Sequence, residues 1–254
     1  MQFFLLNVKN WIYRQFRCER ALLENKSNLM ERLSYELRTS LTGIVGYSEY
    51  LESIPAEPMV NFTAKIIRES SLCLARASNS FFDLHRLESG QISADSSSFS
   101  GSELIRDVVR THQRYALDQA VTLEFTCSAE TFFVEINSDQ KRMNQMADSL
   151  IFSTVQLAEK GSAIHVEVSV DKDKNYMKLM LTTSGPILDV AQVELFRKFW
   201  NADDYKFSLQ AGPSVELALS KALIYFLQGD VEYQVRPEAR PRLIVRLPIR
   251  YKQR

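Results

Sequence analysis

Cysteine is scarce in this chain of 254 residues: Cys18, Cys73 and Cys127 are odd in number and far apart. Such spacing builds neither a disulfide framework nor a metal knuckle, and it fits a reducing cytoplasm. An excess of charge of one sign is missing as well, with 31 basic residues against 31 acidic ones. That balance gives no reason to expect nucleic acid or an anionic substrate as a partner. Long apolar runs are absent. Phe3-Phe4-Leu5-Leu6 is closed off by Lys9, far short of a membrane span, and no small-residue cleavage site follows as a signal peptide needs. Histidine is limited to His85, His112 and His165, each placed in a packed helix or strand pattern and read as structural. Asp203-Asp204 has no neighbouring ligand set and reads as a solvated loop pair. What is present is 45% hydrophobic residues, enough for one or two globular domains.

Helical spacing dominates the first third. Leu5, Val8, Ile12 and Phe16 follow an i, i+3, i+4 stripe that Leu22, Leu29, Leu33 and Leu37 carry on towards Ser53. This length without a glycine or proline break suggests a coiled coil running into a helical bundle. Trp11, Tyr13, Arg14, Arg17 and Arg20 also suit a helix lying on a membrane surface. The stripe continues beyond the basic region, which favours the coiled coil. Pro55 and Pro58 mark a hairpin turn, and a second helix is predicted from Val60 to Ser89, stopped by Gly90. Its apolar side carries Ile66, Ile67, Leu72, Leu74, Phe81, Phe82 and Leu84. Two such helices bury too little surface alone, and a homodimer forming a four-helix bundle is the usual remedy.

Ala94 to Ser102 reads as a polar linker. Helices are predicted over Glu103–Asp118, Ser138–Glu159 and Val215–Leu227. Strands are predicted over Val121–Thr126, Ala163–Val170 and Tyr176–Thr182, with Val231–Val235 and Leu243–Leu247 as a closing hairpin. The mixture suggests helices packed on one face of a mixed sheet.

Within the first helix, Leu33-Ser34-Tyr35-Glu36-Leu37-Arg38-Thr39-Ser40-Leu41 resembles S-H-E-L-R-T-P-L, the phosphoacceptor motif of sensor histidine kinases. Tyr35 stands where the phosphorylatable histidine belongs. Phe81 to Gly90 resembles L-L-D-x-S-R-I-E-S-G, and Asp139 to Ser149 resembles D-x-x-R-x-x-Q-x-x-x-N-L. The resemblance covers nearly the whole chain after residue 26. It implies an α+β fold: a helical-hairpin dimerisation domain, then a histidine-kinase-like ATPase α/β sandwich. The implied boundaries are 1–25 for an N-terminal signalling or coiled-coil helix, 26–92 for the hairpin, 93–102 for a linker and 103–254 for a degenerate ATP-binding domain.

The resemblance also implies which chemistry is lost. A phenol cannot accept and re-donate a phosphoryl group as imidazole does, because an aryl phosphate lacks the labile P–N bond. In the family's N-L-L-x-N-A-x-K box an asparagine ligates Mg²⁺. Matched to Asp148-Ser149-Leu150-Ile151-Phe152-Ser153-Thr154-Val155, the box places Phe152 at the metal ligand and Val155 at the lysine. In D-x-G-x-G-I the aspartate accepts from the adenine amine. Thr183 takes its place, followed by Gly185 without a second glycine, which forfeits roughly 1.5–3 kcal/mol of recognition. The phosphate loop G-x-G-L-G-L corresponds to Gly212-Pro213-Ser214-Val215-Glu216-Leu217. Pro213 removes an N–H, and the Glu216 carboxylate costs on the order of a few kcal/mol beside a phosphate. ATP and Mg²⁺ are therefore not expected to bind, and no cofactor is expected. Packing residues persist: Phe196 and Phe199 match the family's aromatic box, and Leu247-Pro248 its terminal L-P.

The resemblance implies a response-regulator receiver domain or a partner histidine kinase as binding partner, at Tyr35, Thr39, Gly43, Gly46, Tyr47 and Tyr50. Membrane contact is expected only through the N-terminal helix. Glu36 and Thr39 form E-x-x-T, which in the family supports dephosphorylation of the regulator. The reading is a pseudokinase of bacterial two-component signalling, with a receiver phosphatase or a divergent kinase as the alternative.

Overall fold

The computed structural model describes residues 33–54, 57–132, 134–171, 175–184, 196–200, 214–236 and 239–248. It divides into two compact units, Met1–Phe82 and Asp83–Arg254. The expected N-terminal helix over 1–25, Gly185 and Gly212 lie outside the described residues.

The first unit is a helical hairpin: α1 over 33–53, and α2, which runs Pro58–Glu88 and leaves this unit after Phe82. Ser34, Leu41 and Ser48 on α1 are buried at seven-residue spacing, as are Ala64 and Ser71 on α2. Mostly small side chains thus line the inner seam of the hairpin. Arg38 donates to Asn79 Oδ1 at 2.9 Å, and Arg68 donates to Glu52 at 2.9 Å, tying the helices together at two levels. The larger apolar residues face outward. Leu37, Ile44 and Leu51 on α1, and Val60, Ile67, Leu74 and Phe81 on α2, are exposed at heptad spacing. That is the period of a helix seam awaiting a partner. At the end of α2, Gly90 takes φ +68°, and the amides of Gly90 and Gln91 close onto the carbonyls of Leu87 and Arg86. Glycine reaches this left-handed stop without a Cβ penalty.

In the second unit the residues read as a linker are partly ordered into structure. Ser97–Ser100 form β1, which pairs antiparallel with β3 (Glu135–Ser138). The physical reason is Phe99, which pairs with Ile136 and is buried with it; one aromatic ring anchors an otherwise serine-rich stretch. Ser100 then caps α3 (Gly101–Asp118), accepting the Glu103 amide at 3.2 Å. Next come β2 (Thr122–Cys127), a short α4 (Ala129–Phe132) and, after β3, α5 (Gln140–Leu157), capped by Asp139. The chain continues through β4 (Ala163–Asp171), β5 (Tyr176–Thr183), a helical segment α6 over 196–200, α7 (Val215–Phe226), β6 (Asp230–Arg236) and β7 (Ala239–Pro248).

Five strands form one sheet in the order β2-β4-β5-β7-β6. The β2–β4 pair is parallel and the remaining pairs are antiparallel. Strict alternation along β4 and β5 turns Ile164, Val166, Val168, Met177, Leu179 and Leu181 into the core, where they join apolar residues of α3, α5 and α7. A helical hairpin followed by a mixed-sheet α/β domain is the architecture expected above. Among the described residues, no helix is long and apolar enough to cross a membrane.

Candidate functional site

Two surfaces carry the residues singled out by sequence. On α1, Tyr35, Thr39, Gly43, Gly46, Tyr47 and Tyr50 recur at three- and four-residue steps and share one helical stripe. Tyr35 is 72% exposed, and Tyr47 and Tyr50 are exposed as well. A Cβ added at Gly43 or Gly46 would meet no heavy atom within 4 Å, so the hairpin itself does not require glycine at either place. The Thr39 hydroxyl donates to the Tyr35 carbonyl at 2.9 Å, which fixes its rotamer and leaves its lone pairs outward for a water molecule. Glu36 is exposed one turn before Thr39.

In the second unit, α5, β5, α6 and α7, with β6 and β7, border a partly open cavity of about 90 Å³. Thr154 and Leu157 come from α5, Leu181 and Thr183 from β5, Trp200 from α6 and Leu217 from α7. Thr183, expected at the adenine end of a nucleotide site, does line this space. The α6 wall is held from inside. Phe199 and Trp200 meet edge to face at 4.9 Å, and the buried Lys221 of α7 donates to the Phe199 carbonyl. Its ammonium also lies 5.2 Å from the Phe199 ring centre. Sequence reading missed Lys221; the available signal was a lysine inside the mostly apolar run of Val215 to Leu227.

Phe152 and Val155 are not brought to this cavity. The Phe152 ring stacks on Tyr115 of α3 at 4.9 Å and also meets His112, whose Nε2 lies 2.7 Å from Asp148 Oδ1. Val155 is buried in the core. From α5 itself the cavity is lined by Thr154 and Leu157. Counted from the α5 cap Asp139, with Arg142 and Gln145 at their family spacing, the box begins at Ser149 and not at Asp148. Its second asparagine then falls on Ser153 and its lysine on Gln156. Ser149 and Ser153 are both buried, whereas Gln156 is exposed. A one-residue shift turns a helix by about 100°, so the two registers set the box on different faces of α5.

At the start of α7, Ser214 Oγ accepts the Leu217 amide at 3.2 Å, so the helix is capped by its own chain. Glu216 is buried in the same first turn, its carboxylate at the positive end of the helix dipole. Both therefore occupy the amide-rich corner where an anion would otherwise be held.

No protein-family model matches the chain. Among curated proteins it is similar to the autoinducer 2 sensor kinase/phosphatase LuxQ of Vibrio parahaemolyticus, 23% identical over 234 residues, covering 90% of this chain and 27% of the relative. It is also similar to the sensor histidine kinase RcsC of Escherichia coli, 23% identical, covering 89% and 24%, and to the sensor protein DivL of Caulobacter vibrioides, 27% identical, covering 84% and 26%. The chain thus spans about a quarter of the length of these relatives. Its fold is shared with full-length ShkA crystallised with AMPPNP, at a TM-score of 0.65 and 20% identity over 89% of this chain and 46% of that one. Acinetobacter baumannii histidine kinase AdeS matches at 0.54 and 14% identity, over 83% and 94%. In sequence the chain is thus similar to sensor kinases, and in fold it is similar to histidine kinases.

Proposed function

We propose that this chain is a histidine-kinase-like pseudokinase of a phosphorelay. It acts in the cytoplasm as a homodimer that binds a response-regulator receiver domain or a partner kinase, without ATP-dependent autophosphorylation. The observation that carries this reading is Tyr35, exposed at the head of an otherwise intact Glu36-Leu37-Arg38-Thr39 turn. The helix still presents the docking strip, but its acceptor atom is a phenol oxygen.

Fit to a nucleotide supports the same reading. Mg²⁺ demands hard oxygen ligands in near-octahedral geometry, and Ser149 and Ser153 offer only short, buried hydroxyls where the family uses carboxamides. Thr183 replaces a charged acceptor at the base, and Glu216 sets a carboxylate against the phosphates. The residues present do not fit ATP–Mg²⁺. A second reading, receiver phosphatase, is favoured by one observation: Glu36 and the oriented Thr39 hydroxyl remain exposed side by side on α1.

The deciding experiment is a melting curve in ATP–Mg²⁺ followed by incubation with phosphorylated receivers. A ligand at one hundred times its Kd raises stability by about 2.7 kcal/mol, so binding is easily seen. We expect no shift beyond Mg²⁺ alone, saturable receiver binding, and no autophosphorylation even in Tyr35→His. A clear ATP-dependent shift would sink the pseudokinase reading. Receiver dephosphorylation that is lost in Thr39→Ala would select the phosphatase.

A further inference from the structure

We propose that β2 is a self-pairing edge: two copies of this chain join antiparallel along it, merging their five-stranded sheets into one. β2 ends the sheet order, with only β4 beside it among the described residues. The Thr122 amide donates to the Ser162 carbonyl at 2.9 Å, so the backbone of Thr122 faces β4. Backbone groups alternate sides along a strand, and those of Glu124 and Thr126 follow Thr122 towards β4. The amides and carbonyls of Leu123, Phe125 and Cys127 therefore point out of the sheet. Among the described residues, no backbone bond outside the ladder reaches them. A row of such unpaired groups is a template for another strand.

The two edges of the sheet differ in protection. β6 carries Asp230 and Glu232 and a register shift between Gln234 and Arg236, the kind of irregularity that blunts an edge. β2 keeps a regular register from Thr122 to Cys127 and contains neither lysine nor proline. Its one charged side chain, Glu124, is tied back to His165 of β4 at 2.8 Å. A second copy is the favoured occupant because the strand complements itself. With Phe125 opposite its own copy across a two-fold axis, Leu123 meets Cys127 and Glu124 meets Thr126. Each outward amide and carbonyl of Leu123, Phe125 and Cys127 then faces its counterpart. Half-buried Phe125 gains an aromatic cross-strand neighbour. Centring the axis on Glu124 instead sets two carboxylates opposite each other. It also sets Cys127 opposite Val121, whose amide already donates to the Ala116 carbonyl. Charge and hydrogen bonding thus choose the same register.

The paired edge is short, in the class of small, weak interfaces, so it forms well above the low-micromolar concentrations at which the hairpin dimer is judged. It uses the second unit alone and is independent of the hairpin seam. The test is sedimentation of the full chain up to submillimolar concentration, with and without Ile67→Asp in the seam. We expect wild type to pass from dimer to tetramer, and Ile67→Asp from monomer to dimer. Thr126→Glu, at an exposed position, sets like charges opposite Glu124 and should weaken this step about tenfold in both chains. Adding Glu124→Lys should restore it, because each pair then carries opposite charges. If Ile67→Asp fails to fold, the charge exchange in the wild-type chain still decides. No association step, a step that Thr126→Glu leaves intact, or a loss that Glu124→Lys does not rescue overturns the proposal. Wild type passing from monomer to dimer, with that step lost in Thr126→Glu, would support this contact and overturn the hairpin dimer alone.

Discussion

Phe152 lies flat on Tyr115 of α3, so its ring supports the packing of two helices and does not face the cavity. Phe152→Asn, which writes the family's metal ligand into that position, should therefore fail to create nucleotide binding. It should also destabilise the chain by roughly 1–3 kcal/mol through the lost aromatic stack. A denaturant melt and an ATP titration on the same variant check both halves. Gly46 gives the converse case, a residue whose own helix would be better off without it. In open surroundings Gly46→Ala should stabilise α1 by about 0.5–1 kcal/mol. On the docking hypothesis the added methyl stands where a receiver approaches the backbone, so stability should rise while receiver affinity falls. Unchanged affinity would remove Gly46 from the docking strip.

Among the elements, the β6–β7 hairpin at the sheet edge is held by Arg246, which donates to Asp230 and to Glu232 at 2.7 Å each. The Arg246 guanidinium, helped by the Gln234 amide, holds the Glu232 carboxyl below the usual carboxylate range. A carboxyl with a depressed folded value adds stability above its unfolded pKa and loses it as pH falls through the folded value. Wild type should therefore melt higher than Glu232→Gln at neutral pH, and the gap should close between about pH 5 and about pH 3. A gap that stays constant across that range would show that the pair contributes nothing through ionisation. The effect is small because both partners are largely solvated.

At the scale of the whole molecule, the proposed homodimer rests on the outward heptads of the hairpin. Leu37, Ile44 and Leu51 on α1 and Val60, Ile67, Leu74 and Phe81 on α2 are exposed, while the small residues are buried. A second copy burying these stripes completes a four-helix bundle. Light scattering should report a dimer for wild type and a monomer for Ile67→Asp or Leu74→Asp. A folded wild-type monomer at micromolar concentration would count against the bundle. Leu84 is a poor probe of that interface, because it is buried in the core of the second unit and an aspartate there should unfold it.

Periodicity and turn residues in the sequence were enough for the hairpin, the Gly90 stop and the alternating strands β4 and β5. Each of these is governed by local geometry: a heptad, a left-handed glycine, a two-residue side-chain period. The stripe from Tyr35 to Tyr50 was legible for the same reason, since positions 35 to 50 share one continuous helix. Tertiary structure decided the rest. Serines around Phe99 looked like a linker until a partner strand gave that ring a place to be buried. The face that α5 turns to α3, where Phe152 stacks on Tyr115, was decided by the packing of two helices distant in sequence. The buried Lys221 donating to the Phe199 carbonyl joins two separate helices, and only the folded structure brings them together.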